Sequence, residues 1–141
     1  EDFLKMMKDH MGETYKKLIS SKKGSPLYNY HLGMVAKEAD LFKRAREILA
    51  PASGKLRGSK KGIALYTVAF TYYNERSYSK ALKFYFEARK YWNSAKLNYC
   101  ISKTYYQLGN KEAARKYLRI TLNMDPNYPA ALSFKDKIKG D

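Results

Sequence analysis

Few side chains in this sequence are equipped for acid–base or covalent chemistry. There are two histidines, His10 and His31, and one cysteine, Cys100. The histidines belong to different helically spaced segments, and His10 falls on an apolar stripe, which suits a packed or rim residue. A single cysteine permits neither an internal disulfide framework nor a zinc site built on paired cysteines. Cys100 lies inside an apolar-periodic run, where a thiol is expected to pack as a small hydrophobe. There is no HExxH motif and no nucleophile elbow. The stretch GKLRGSKKG, Gly54 to Gly62, has glycines and lysines but lacks the spacing of a phosphate-cradling loop and a strand before it. It is expected to be a flexible, solvated loop. These residues predict no enzyme, no cofactor and no metal.

Contact chemistry is better represented. Fourteen of the 141 residues are tyrosine, and 28 basic residues face 13 acidic ones, a formal charge of +15. Such a field favours an acidic protein, nucleic acid or an anionic membrane surface as partner. No run approaches the roughly 18 apolar residues of a membrane span, and no signal-peptide core is present. The chain begins at Glu1, as expected for a processed form or an excised fragment. Cysteine scarcity favours the cytoplasm, and fits equally a periplasmic or lipid-anchored form whose targeting segment has been removed.

The elements that must position these residues are helices. Phe3, Met6, Met7, His10, Met11, Tyr15 and Leu18 follow helical spacing, which predicts an amphipathic helix from Asp2 to Ser20. Ser25 and Pro26 suit the cap and first position of the next. Helices are predicted over Leu27–Ala39, Leu41–Ala50, Ile63–Asn74, Tyr78–Tyr91, Ser94–Leu108, Lys111–Met124 and Ala130–Lys139. Pro51 to Gly62 reads as the longest polar break, and Asp125 to Pro129 as a turn. No segment alternates as a strand would, so the class is all-α.

The helices come in copies. Ala45, Ala81 and Ala114 stand 36 and then 33 residues apart. The same offsets align Leu32, Val68 and Ile101; Gly33, Ala69 and Ser102; Ala36, Tyr72 and Tyr105; and Leu49, Tyr85 and Leu118. Periods of this size mark stacked helical hairpins, each covering the apolar face its neighbour cannot bury alone.

At these residues the sequence resembles the tetratricopeptide repeat. The last copy carries Tyr105, Gly109, Ala114, Leu118 and Pro126 at the pattern positions; the middle one carries Tyr72, Tyr78, Ala81, Tyr85 and Ala88; the first carries Leu32, Gly33, Ala45 and Leu49. Asn29, Leu65 and Asn98 replace the usual Trp, Arg76 stands where Gly is expected, and Asn93 replaces Pro. The resemblance implies a right-handed superhelical stack of antiparallel hairpins. It divides the chain into an N-terminal helix (1–20), three repeats (26–53, 62–93, 95–126) and a capping helix with tail (128–141). It also implies a scaffold that binds a peptide or helix in a concave groove lined by the first helix of each repeat.

On that inner face the spacing places Tyr30, Met34 and Lys37, then Tyr66, Phe70 and Tyr73, then Lys96, Tyr99, Lys103 and Tyr106. Rings edged by lysines suit an apolar or aromatic peptide with some negative charge. Some family members grip a C-terminal carboxylate here; the matching positions are Tyr30, Met34, Thr67, Lys96 and Cys100, of which only Lys96 fits, so no such clamp is expected. The second helices present Lys43, Arg44, Lys80, Lys83, Arg115, Lys116 and Arg119 outward, and Lys55, Arg57, Lys60 and Lys61 form a candidate mobile anion-binding cluster. The alternative function is therefore a basic module for nucleic acid or an anionic surface. That alternative wants rings among the cations, whereas most rings are expected in the groove. The first helix could also join two copies or dock into a longer repeat array.

Overall fold

The computed structural model describes residues 5 and 12–140. They form eight helices: α1 (Gly12–Ile19), α2 (Pro26–Glu38), α3 (Phe42–Ser53), α4 (Gly58–Asn74), α5 (Tyr78–Arg89), α6 (Ala95–Gln107), α7 (Lys111–Met124) and α8 (Pro129–Gly140). There is no strand among the described residues, so the protein is all-α. Phe3, Met6, Met7, His10 and Met11 lie outside the described residues. Of the N-terminal stripe Leu18 is buried, and the Thr14 hydroxyl donates to Glu38 at 2.9 Å, which sets α1 on α2.

Local chemistry starts and stops these helices. The Ser25 and Ser94 hydroxyls accept from the Tyr28 and Leu97 N–H groups at 3.1 Å each, capping α2 and α6. The Asn110 side chain caps α7 through Ala113 in the same way. Three helices end identically. Asp40, Arg76 and Gly109 have φ of 60°, 63° and 82°. The N–H after each reaches back to the third-from-last helical carbonyl: Leu41 to Ala36, Ser77 to Tyr72, Asn110 to Tyr105. The left-handed residue's own N–H bonds to Lys37, Tyr73 or Tyr106. This paired closure satisfies exposed carbonyls while the chain reverses. Its recurrence at the sequence offsets makes α2–α3, α4–α5 and α6–α7 equivalent hairpins.

Each helix packs chiefly on its neighbours in the chain: within the hairpins, between them through α3 with α4 and α5 with α6, and at the ends through α1 with α2 and α7 with α8. This is the packing of a helical repeat. Ala45, Ala81 and Ala114 are fully buried where paired helices cross, beside the buried Leu49, Tyr85 and Leu118.

Helix α8 takes the place of a fourth first helix. It begins 34 residues after α6, and Leu132 bonds back to Tyr128 as Asn98 does to Ser94. Its buried Ala131, Phe134 and Ile138 match Leu97, Cys100 and Thr104. Asn98 and Ser102 are buried in the third hairpin and bond to Met124 and Ala114 of α7. The matching Leu132 and Asp136, with Lys135 at the Ile101 position, are exposed.

One expected loop is not a loop. Within Pro51–Gly62, α3 continues through Pro51 to Ser53 and α4 starts at Gly58, leaving a short connection. Lys60 and Lys61 therefore sit on the first turn of a helix, not on a mobile segment, while Lys55 and Arg57 stay in the connection. A solvated helical turn and a loop share the same composition, because both need polar side chains.

Candidate partner-binding groove

The first helices bring the ten predicted groove residues into one continuous strip, but not all of them to its surface. Tyr30 and Tyr66 are buried, which corrects the expectation that both line an open groove. Tyr30 belongs to a core of Leu49, Leu56, Ala64 and Val68. Tyr66 wedges between the second and third hairpins, with ring centroids 5.2 Å from Trp92, 5.8 Å from Tyr85 and 6.4 Å from Phe70. The Cys100 thiol points at its hydroxyl at 4.0 Å. Burial pushes the Tyr66 phenol and the Cys100 thiol above their ordinary ranges, so both stay protonated and act as packing. The physical reason is reach: a ring long enough to cross a groove also reaches the neighbouring hairpin, and there it sheds more water.

The other groove side chains, apart from the exposed Lys96, make a half-buried wall. The Thr67 hydroxyl donates to the Met34 sulfur at 3.5 Å. Phe70 meets Phe42 edge-on at 5.9 Å. Lysines lie over the rings along the strip: Lys37 over Phe70 at 5.3 Å, Lys96 over Tyr66 at 5.6 Å, and Lys103 over both Tyr73 at 5.2 Å and Tyr99 at 4.9 Å. At such distances a cation is held by the ring quadrupole while keeping much of its hydration.

Helix α8, expected as a capping helix, closes one end of the strip. Phe134 stands edge-on to Tyr99 and Tyr106 at 5.9 and 5.3 Å, and Lys137 lies over Tyr106 at 5.4 Å. Extending the repeat offset by one more copy would have found Lys137, because Ala130, Ser133 and Lys137 continue the groove series of Lys96, Tyr99 and Lys103, whereas Phe134 falls at the position of Cys100, outside that series. What remains open is a cleft of about 430 Å³ between α4, α6 and α8, lined by Tyr73, Tyr99, Lys103, Tyr106, Phe134 and Lys137 among others. No carboxylate lines it among the described residues. Burial, and after it Tyr78, raises the Tyr73 phenol; burial, and after it Cys100, raises that of Tyr99. The cleft therefore offers neutral phenols and ammonium groups: hydrogen-bond donors and positive charge on an aromatic floor.

Outside the groove, rings and cations are more mixed than expected. Arg46 lies 4.4 Å and Lys80 5.6 Å from the Tyr72 ring, Arg89 and Lys116 flank Tyr117 at 5.6 and 5.5 Å, and Lys61 lies 5.0 Å from Tyr91. His31 is held below its ordinary pKa by burial, then by Lys17 and Lys60. Among the described residues no group of three or more His, Cys, Asp and Glu could hold a metal ion, and no helix is long and apolar enough to cross a membrane. No protein-family model matches the chain, and no curated protein matches it in sequence.

Proposed function

We propose that the chain is a tetratricopeptide-type scaffold, wound as a right-handed superhelix, that holds an acidic segment of a partner protein in the cleft between α4, α6 and α8. The observation that carries this reading is Lys103 poised over two tyrosine rings in a cleft lined by no carboxylate. A carboxylate arriving there meets an ammonium already held in place, so little side-chain entropy remains to be lost. The rings supply contact area for a flanking apolar residue. The reading assigns the chain no catalytic step, cofactor or metal. Its test is partner capture by the full chain against a Lys103→Glu, Lys137→Glu variant, which keeps every ring. Capture should fall by about tenfold or more with the melting temperature unchanged, because the variant sets like charges against the guest. Equal capture by both proteins rejects the cleft.

A second reading, binding of RNA or an anionic surface, is favoured by the rings Tyr72, Tyr91 and Tyr117 lying among outer-face cations. It requires affinity for a generic RNA to fall steeply with rising salt. Affinity that is absent at low salt removes it.

A further inference from the structure

The junction of α7 with α8 carries a second site. In the second hairpin Tyr72 stacks on Phe84 of α5, centroids 5.6 Å apart and planes 21° apart, with Arg46 of the preceding hairpin over its ring. In the third hairpin Tyr105 stacks on Tyr117 of α7 at 5.7 Å and 21°, with Phe86 of the preceding hairpin edge-on to both rings. Each junction is thus closed by a ring from the following second helix. At the junction of α7 with α8 no described helix follows. The position of Tyr72 and Tyr105 is Lys139 there, that of Phe86 is Arg119, and that of Ile101 is Lys135. The unfilled space is about 570 Å³, floored by Leu118, Leu122 and Ile138 and rimmed by Arg115, Arg119, Lys135 and Lys139. It shares no lining residue with the groove cleft.

We propose that the junction of α7 and α8 is a docking site for an amphipathic helix of a partner protein, one that places an aromatic anchor on the apolar floor and acidic residues against the four cations. The guest takes the role that α5 and α7 play in the second and third hairpins, completing a fourth hairpin around α8. Charge selects among occupants. Cations have replaced apolar residues at three positions the earlier junctions use for packing, and Arg115 keeps the cation that Arg46 supplies at the first of those junctions, so an uncharged helix would leave four positive groups partly desolvated and unanswered. A second copy of this chain carries the same large positive charge and is repelled. The inference does not depend on the groove cleft.

The test uses the full chain and a fluorescent synthetic helix bearing one Phe flanked by glutamates, read by anisotropy at low salt. Saturable binding is expected. Replacing the peptide's Phe by Ala, or its glutamates by Gln, should each weaken binding by about tenfold, as for loss of a hot-spot contact. Arg119→Glu with Lys135→Glu should abolish binding of the acidic helix and admit a lysine-bearing one. Arg115→Gln with Lys139→Gln serves as a milder variant if that reversal lowers the melting temperature. All of these measurements are made in a Lys103→Glu background, which disables the groove cleft without touching a residue that lines the α7–α8 junction, and saturable binding should persist there. The proposal is overturned by an absence of saturable binding, or by binding that tolerates the charge reversal. Binding lost in Lys103→Glu would move the peptide to the groove cleft and overturn it too. So would a concentration-dependent dimer that Arg119→Glu dissolves, since the occupant would then be a second copy.

Discussion

Arg76 adopts φ of 63° at the turn where the equivalent residue of the third hairpin is Gly109. A left-handed backbone sets the Cβ against the following carbonyl and costs an L-residue about 1–2 kcal/mol. Glycine escapes that term but gives back about 0.5–1 kcal/mol through the greater freedom of the unfolded chain. The difference favours glycine, so Arg76→Gly should stabilise the protein by about 0.5–1 kcal/mol, and Gly109→Ala should destabilise it by a similar amount, both measured by urea denaturation. An unchanged midpoint in Arg76→Gly would show that the turn carries no strain. At this scale the sequence is uneven to read. Gly109 announces its turn, because few other residues favour that backbone. Asp40 and Arg76 do not, because the hydrogen bonds of the closure come from the backbone and leave no mark on side-chain type.

The hairpins themselves were legible, because their spacing is fixed by burial. The predicted helices α5 and α6 agree with the observed ones to within two residues at each end. The break before α4 was not legible, since its polar residues describe exposure rather than conformation. Two glycines mark close approaches, Gly33 of α2 to α3 and Gly62 of α4 to the connection after α5. A Cβ on Gly33 would stand 2.3 Å from Leu49 Cγ, and one on Gly62 would stand 2.4 Å from Trp92 Cβ and 2.9 Å from its backbone nitrogen. Alanine would gain about 1 kcal/mol of helix propensity at either site. Overpacking typically costs about 1–3 kcal/mol, so both substitutions should destabilise. Gly62→Ala should be the worse, because backbone must move to admit it, whereas Leu49 can be trimmed. In a double-mutant cycle of thermal unfolding, Leu49→Ala should relieve part of the Gly33→Ala penalty. Purely additive effects would place the clash elsewhere.

At the scale of the whole molecule the charge is +15, and among the described residues it is answered by three ion pairs, Glu13–Lys16, Arg46–Glu75 and Glu87–Lys90, two of them between residues three apart in the chain. The compact state therefore repels itself. Moving from about 0.01 M to about 1 M NaCl shortens the screening length from roughly 30 to roughly 3 Å, and should raise the melting temperature by a few degrees. A melting temperature that falls would mean attractive pairs outweigh the repulsion. Composition made this charge plain, and the periodicity made the stack plain. The groove was half legible: spacing identified the face, but whether a ring on that face is guest-facing or wall depends on the neighbouring hairpin, which a single segment does not encode. Tyr66 shows this, being on the predicted face and buried.

Because each helix leans chiefly on the one before and the one after it in the chain, the molecule has no keystone. Tension applied between its ends would be borne by one seam at a time. The layers would then peel away in order from the rims, and a stretched molecule could keep its middle hairpins folded while its outer ones lengthen.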